Sequence, residues 1–136
     1  MTIFGAIGIA STGLTVHRKW LDAVSDNLSN MNTVRSTNEE AYRAKYVVAE
    51  AANYGNDGLG EGVRVAGIEL GDAEGRMVYE PDHPLADEAG YVRYPDIDMS
   101  SQMTQLIMAQ RGYQASAAVV DRAKESYQAA LQIGRS

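Results

Sequence analysis

The sequence predicts a mainly α protein with a small β insert, in which long N- and C-terminal helices form a coiled-coil hairpin around a short β-rich middle segment. Three observations carry that expectation. Apolar residues recur in alternating steps of four and three at both ends of the chain; the middle is rich in valine, isoleucine and tyrosine in partly alternating order; and Pro81, Pro84 and Pro95 all fall in that middle. The expected division is a discontinuous helical coiled-coil domain over 1–33 and 97–136, and a β-rich insert over 34–96 with a glycine-rich loop at 55–62.

In the first helix the repeat reads Ile3, Ile7, Ala10, Leu14, His17, Leu21, Val24, Leu28, Met31, and all but His17 are apolar. Ser11, Thr12, Arg18, Lys19, Asp22, Ser25, Asp26 and Asn27 lie between them, so an apolar stripe runs along an otherwise polar helix. Gly5, Gly8 and Gly13 each weaken the early turns by up to about 1 kcal/mol relative to alanine, so the N-terminal end is expected to be helical only when packed. The helix then enters the polar stretch "SDNLSNMNT" (25–33), where asparagines tolerate a left-handed backbone and side-chain amides satisfy the last carbonyls.

Strands are expected within 42–55 and 62–70, joined by "GNDGLGEG", and two shorter ones around Met77–Glu80 and Gly90–Tyr94 between the prolines. The last helix carries Met99, Met103, Leu106, Gln110, Tyr113, Ala117, Val120, Lys124, Tyr127 and Leu131 at the same steps, with Gln110 and Lys124 as exceptions. Asp98 or Ser100 suits its start and Gly134 its stop. A helix of this kind draws its stability from burying its seam. The two seams can pair antiparallel within the chain, yet Val16, Trp20, Ile107, Met108 and Val119 leave apolar surface beside them, which reads as a subunit interface. Head-to-tail contacts between like subunits do not close and so build helical filaments.

Composition narrows the function. With 12 basic and 18 acidic residues among 136, the net charge of −6 argues against wrapping a phosphate backbone, so no nucleic acid is expected. Cysteine is absent, which excludes a disulfide framework and a thiol nucleophile. No run reaches the roughly 18 apolar residues of a membrane span, and the N-terminal stretch lacks the basic region and cleavage pattern of a secretory signal. Neither His17 nor His83 belongs to a nucleophile motif; His17 reads as a packed seam residue rather than a ligand or pH switch, and His83 as part of a turn between prolines rather than a metal ligand. Asp96 and Asp98 lack the glycine and distal glutamate of an EF-hand. No enzyme, cofactor, metal or small-molecule substrate is expected.

The segment "SDNLSNMNT" resembles the N-terminal signature of flagellar rod and hook proteins, S-x-N-L/I-A-N-x-N/D-T, through Ser25, Asn27, Leu28, Asn30, Asn32 and Thr33, with Ser29 where alanine is usual. "RGYQASAAVVDRAKESYQAALQIGR" is similar to that family's C-terminal helix at Arg111, Tyr113, Gln114, Ala115, Ala129, Leu131 and Gly134. "YRAKYVV" and "MVYEPDHPLADEAGYVRYPDIDM" resemble the insert of the short proximal rod members, although Asn38, Glu39 and Glu40 stand where the family has a basic, proline-containing turn. The resemblance implies a non-enzymatic structural subunit of the bacterial flagellar basal-body rod. It implies export through the flagellar type III apparatus without a cleaved signal, a place in the periplasmic rod, and assembly into a helical tube that transmits torque. It implies self-association and contacts with FlgB-, FlgF- and FlgG-type subunits and the FliE-type base. On this reading the assembly interface involves Ile7, Leu14, Leu21, Val24, Asn27, Leu28, Asn30, Met31 and Asn32 from the first helix and its end, and Met103, Leu106, Tyr113, Val120, Tyr127 and Leu131 from the last. The asparagines would bond backbone groups across a subunit boundary and fix register without charge. The alternative is an export adaptor or chaperone of a type III secretion system that holds a client transiently with the same hairpin.

Overall fold

The computed structural model describes residues 2–53, 55 and 60–135, so half of the glycine-rich loop expected at 55–62, residues 56–59, lies outside the described residues. Two helices dominate: α1 (Ile3–Asn30) and α2 (Met99–Gly134). Between them come β1 (Lys45–Ala51), β2 (Val63–Leu70), β3 (Arg76–Tyr79) and β4 (Tyr91–Tyr94). The helical hairpin around a small β segment is as the sequence predicts.

The helix ends are set by side chains. At the start of α1, Thr2 Oγ1 accepts from the Gly5 amide at 3.0 Å. At the other end, Asn30 Nδ2 donates to the Asp26 carbonyl at 2.9 Å, and the Asn30 carbonyl accepts from the Thr33 amide at 3.0 Å. The expected left-handed asparagines are not used: among the described residues only glycines have positive φ, and Met31 caps α1 in the right-handed region. Asn30 and Thr33 satisfy the terminal groups locally, so no backbone reversal is required. For α2 the cap is Asp98, whose carboxylate accepts from the Ser101 amide at 2.9 Å.

The helices pack antiparallel, as Asn27 opposite Gln102, His17 opposite Gly112 and Phe4 opposite Tyr127 show. At about 1.5 Å per residue α2 is roughly 54 Å long and α1 roughly 42 Å, so the last turns of α2 run past the start of α1. α2 leans on α1 and on neither pair of strands.

The strands form two separate antiparallel hairpins, β1–β2 and β3–β4. Isolated two-stranded hairpins are marginal in water, and each is held by something else. The β1–β2 hairpin, bulged between Val48 and Ala49, lies along α1. At its tip the Val63 amide donates to Thr12 Oγ1 at 3.1 Å, and the close approach needs Gly62, where φ is +115° and an added Cβ would stand 2.2 Å from that hydroxyl. The β3–β4 hairpin is built on buried Val92, with Ala41 and Pro95 buried beside it, and Arg35 exchanges two backbone hydrogen bonds of 2.9 Å with Arg93. The Arg93 guanidinium then reaches the carbonyls of Thr37 and Glu74.

Asp87 closes the far end of β3–β4. Its Oδ1 accepts from the amides of Ala89 (3.0 Å) and Tyr91 (2.9 Å), and its Oδ2 from the Thr37 hydroxyl (3.1 Å). The Tyr91 amide above all holds the carboxyl below its ordinary value of 3.8, with Thr37, Ala89 and Gly90 adding to it against some desolvation. Because the folded-state value is depressed, the contribution is fully present above the unfolded value and is lost as pH falls through the folded one. Amide spectra should therefore show the Ala89–Tyr91 turn loosening below about pH 4, and Asp87→Ala should loosen it at neutral pH and remove that pH dependence. A turn that stays ordered and pH-dependent in the variant would contradict this account.

Candidate assembly surface

The contact between the helices is made by small side chains. Ala10 and Ala23 of α1 and Ala109 of α2 are buried. A Cβ added at Gly13 would lie 2.7 Å from Ser116 Oγ, and one added at Gly112 would lie 2.2 Å from His17 Nε2. The His17 ring therefore rests on Gly112, with Nδ1 bonded to the Gly13 carbonyl at 2.7 Å. His83 Nδ1 accepts from the Leu85 amide at 3.0 Å and belongs to the turn. Among the described residues no three histidine, aspartate or glutamate side chains are grouped to hold a metal ion.

Since small residues take the inside, the large apolar residues of α2 are turned outward. Met99, Met103, Tyr113 and Leu131 are exposed, Leu131 by 50%, while Leu106 and Val120 are half-buried and Tyr127, though partly exposed, packs its ring edge-on against Phe4 of α1. The repeat picked out by side-chain size thus runs along the flank of the intrachain seam, and the seam itself follows Gln102, Ala109, Gly112 and Ser116. Ile107, Met108 and Val119 are exposed as well, so α2 presents apolar side chains outside its contact with α1. Apolar surface beyond the intrachain stripe marks a surface for a further contact. The surplus expected on α1 is different: Val16 is buried and Trp20 half-buried, because the β1–β2 hairpin covers them.

Of the expected interface residues on α1, Ile7, Leu14, Leu21, Leu28 and Met31 are half-buried, Asn30 is used as a cap, and Asn32 is exposed. Val24 and Asn27 are inside the chain, with 0% and 1% exposure. That corrects the expectation that Asn27 bonds across a subunit boundary. Its Nδ2 donates to the Lys45 carbonyl (2.9 Å) and Gln102 Oε1 (3.1 Å); its Oδ1 accepts from the Lys45 amide (2.8 Å) and the Tyr42 hydroxyl (3.3 Å). Two donors and two acceptor sites exhaust a primary amide, so nothing is left for a neighbour. Burial pushes the Tyr42 phenol up, opposed by Lys45 and aided by Asp26. Outside the junction, Lys45 Nζ meets Asp26 at 2.9 Å, an exposed pair that solvent screens and that adds little.

Gln102, Gly112, Ser116 and Thr12 are the residues that the pattern of large side chains passes over. The available signal is a second heptad, Gln102, Ala109, Ser116 and Ala123, small after its first member.

A helical hairpin that buries small residues internally and displays large ones along its longer helix defines a subunit of a larger helical assembly. Residues 88–133 match the family model described as the C-terminal region of flagellar basal body rod FlgEFG proteins. Across nearly the whole chain, the sequence is 34% identical to the flagellar basal-body rod protein FlgC of Borreliella burgdorferi, covering 98% of each chain. It is 35% identical to that of Yersinia enterocolitica and 31% to that of Bacillus subtilis, each over 99% of this chain and 100% of the relative. The chain belongs to the FlgC family of flagellar basal-body rod proteins. These relatives support a structural rod subunit and give no support to the export adaptor or chaperone.

Proposed function

We propose that this chain is a non-enzymatic building block of the proximal part of the bacterial flagellar rod. The observation that carries the reading is the outward apolar stripe of α2, Met99, Met103, Tyr113 and Leu131, on a helix that among the described elements touches only α1. Burying that stripe takes neighbouring helices, and packing each hairpin against the next in the same sense generates a helical tube when the rotation between neighbours does not close. In such a tube the α1–α2 hairpins form the wall, stiff enough to pass torque, and the β insert makes lateral contacts. The neighbours on this reading are further copies of the chain, FlgB-, FlgF- and FlgG-type subunits and the FliE-type base. The route is the flagellar type III apparatus without a cleaved signal, and the place is the periplasmic rod.

The test is retention. Basal bodies isolated from detergent-solubilised cells should hold the chain in fixed ratio to other rod subunits through high-salt washing. Loss of the chain on washing, with the rod intact, would refute the reading.

A further inference from the structure

The buried amide pair at the branch of the fold goes beyond the assembly reading, and it stands on intrachain geometry alone. The β1–β2 hairpin crosses α1 over apolar surface that it does not fill: a cavity of about 280 Å³ lies beneath it, lined by Val16, His17, Trp20, Val47, Ala49 and Val63. Loose apolar contact of that kind attracts without selecting one position. Directional bonds select, and they sit at the two ends of the crossing. Thr12 holds Val63 at the tip. Asn27 holds both backbone groups of Lys45 at the base and extends to Gln102 of α2. Asn27 and Gln102 are the buried polar residues among those described, at 1% and 2% exposure. Among the described elements α2 contacts neither strand of the hairpin, and Gln102 is linked to the insert's base only through Asn27.

We infer that the Asn27–Gln102–Lys45 junction is an orientation lock, which fixes the direction in which the β insert leaves the helical hairpin. Tilting the hairpin would break the Lys45 bonds and leave a buried amide without partners, a state the fold penalises far more than it rewards the bond itself. The register of α1 on α2 is set independently by the fit of His17 on Gly112. Direction and register are thus controlled by different residues. The same logic holds where one buried asparagine trades stability for a unique arrangement.

The chain lacks cysteine, so paired cysteines place spin labels without interference. Thr104→Cys with Glu69→Cys reports the insert against α2, and Asp22→Cys with Glu125→Cys reports register; all four side chains are exposed. In the Asn27→Leu/Gln102→Leu variant the insert distance distribution should broaden by about twofold while the register distribution stays narrow, because the bonds that hold the Lys45 backbone are removed and the fit of His17 on Gly112 is untouched. An insert distribution as narrow as in the parent would overturn the inference. Should the double variant fail to fold, Asn27→Ser decides, since its shorter polar side chain gives up the paired Lys45 bonds and leaves Gln102 in place. Broadening between Thr104→Cys and Glu69→Cys then supports the lock, and an unchanged distribution overturns it.

Discussion

Replacing Gly112 with leucine is expected to spread the two helices and lower the free energy of unfolding by about 3 kcal/mol or more, the upper range for overpacking a closed contact. Even a single added carbon stands 2.2 Å from Nε2 and 2.3 Å from Cδ2 of His17. The ring cannot simply rotate away. Its Nδ1 is held by the Gly13 carbonyl at 2.7 Å, and the Trp20 ring lies nearby, with centroids 6.1 Å apart. Gly112→Ala should show the two effects in competition. Alanine favours the helix by up to about 1 kcal/mol, whereas the overpacked seam costs about 1 to 3 kcal/mol, so a smaller net loss is expected. A double-mutant cycle isolates the contact: His17→Ala removes the ring, and Gly112→Ala should then become neutral or stabilising. Urea midpoints at constant slope are the measurement. A Gly112→Leu protein as stable as the parent, with unchanged helix spacing, would show that the ring does not close the seam.

The α1 stripe was legible because its period of four and three survives in folded form: Ala10 and Val24 are buried, and Ile7, Leu14, Leu21 and Leu28 are half-buried. On α2 the same reading picked the wrong flank for the intrachain seam. A hydrophobic repeat gives weight to large side chains, while two helices that approach closely select glycine, alanine and serine. Met99, Met103, Tyr113 and Leu131 at the matching steps therefore mark what lies outside the chain's own packing, whereas Tyr127 meets Phe4 of α1. The strands were legible from composition and turns, and the glycine-rich stretch between the first two read as a hairpin loop; among the described residues β1 indeed pairs with β2, and β3 with β4. Asn27 was legible as special and misread in role. Its partners Lys45 and Gln102 lie 18 and 75 residues away, and no local pattern reports such a separation.

The decisive experiment on function separates folding from assembly. Leu131 is 50% exposed and Met103 is 40% exposed, so Leu131→Asp and Met103→Asp should leave the isolated chain within about 0.5 kcal/mol of the parent. In a rod each change would place an unpaired carboxylate in a helix–helix contact, and burying an unpaired charge costs several kcal/mol at every subunit. The free energy is lost once per subunit along the assembly. Incorporation into basal bodies should therefore fall below detection and cells carrying the variant should not swim, while urea midpoints of the purified proteins stay put. Leu28→Asp is also expected to abolish incorporation, but Leu28 is half-buried within the chain, so that variant mixes unfolding with lost assembly. Arg122→Asp supplies the control: it introduces the same side chain at an exposed position of α2 away from the stripe, and should be incorporated. Motile cells with Leu131→Asp and Met103→Asp rods of normal composition would remove α2's outer stripe from the assembly.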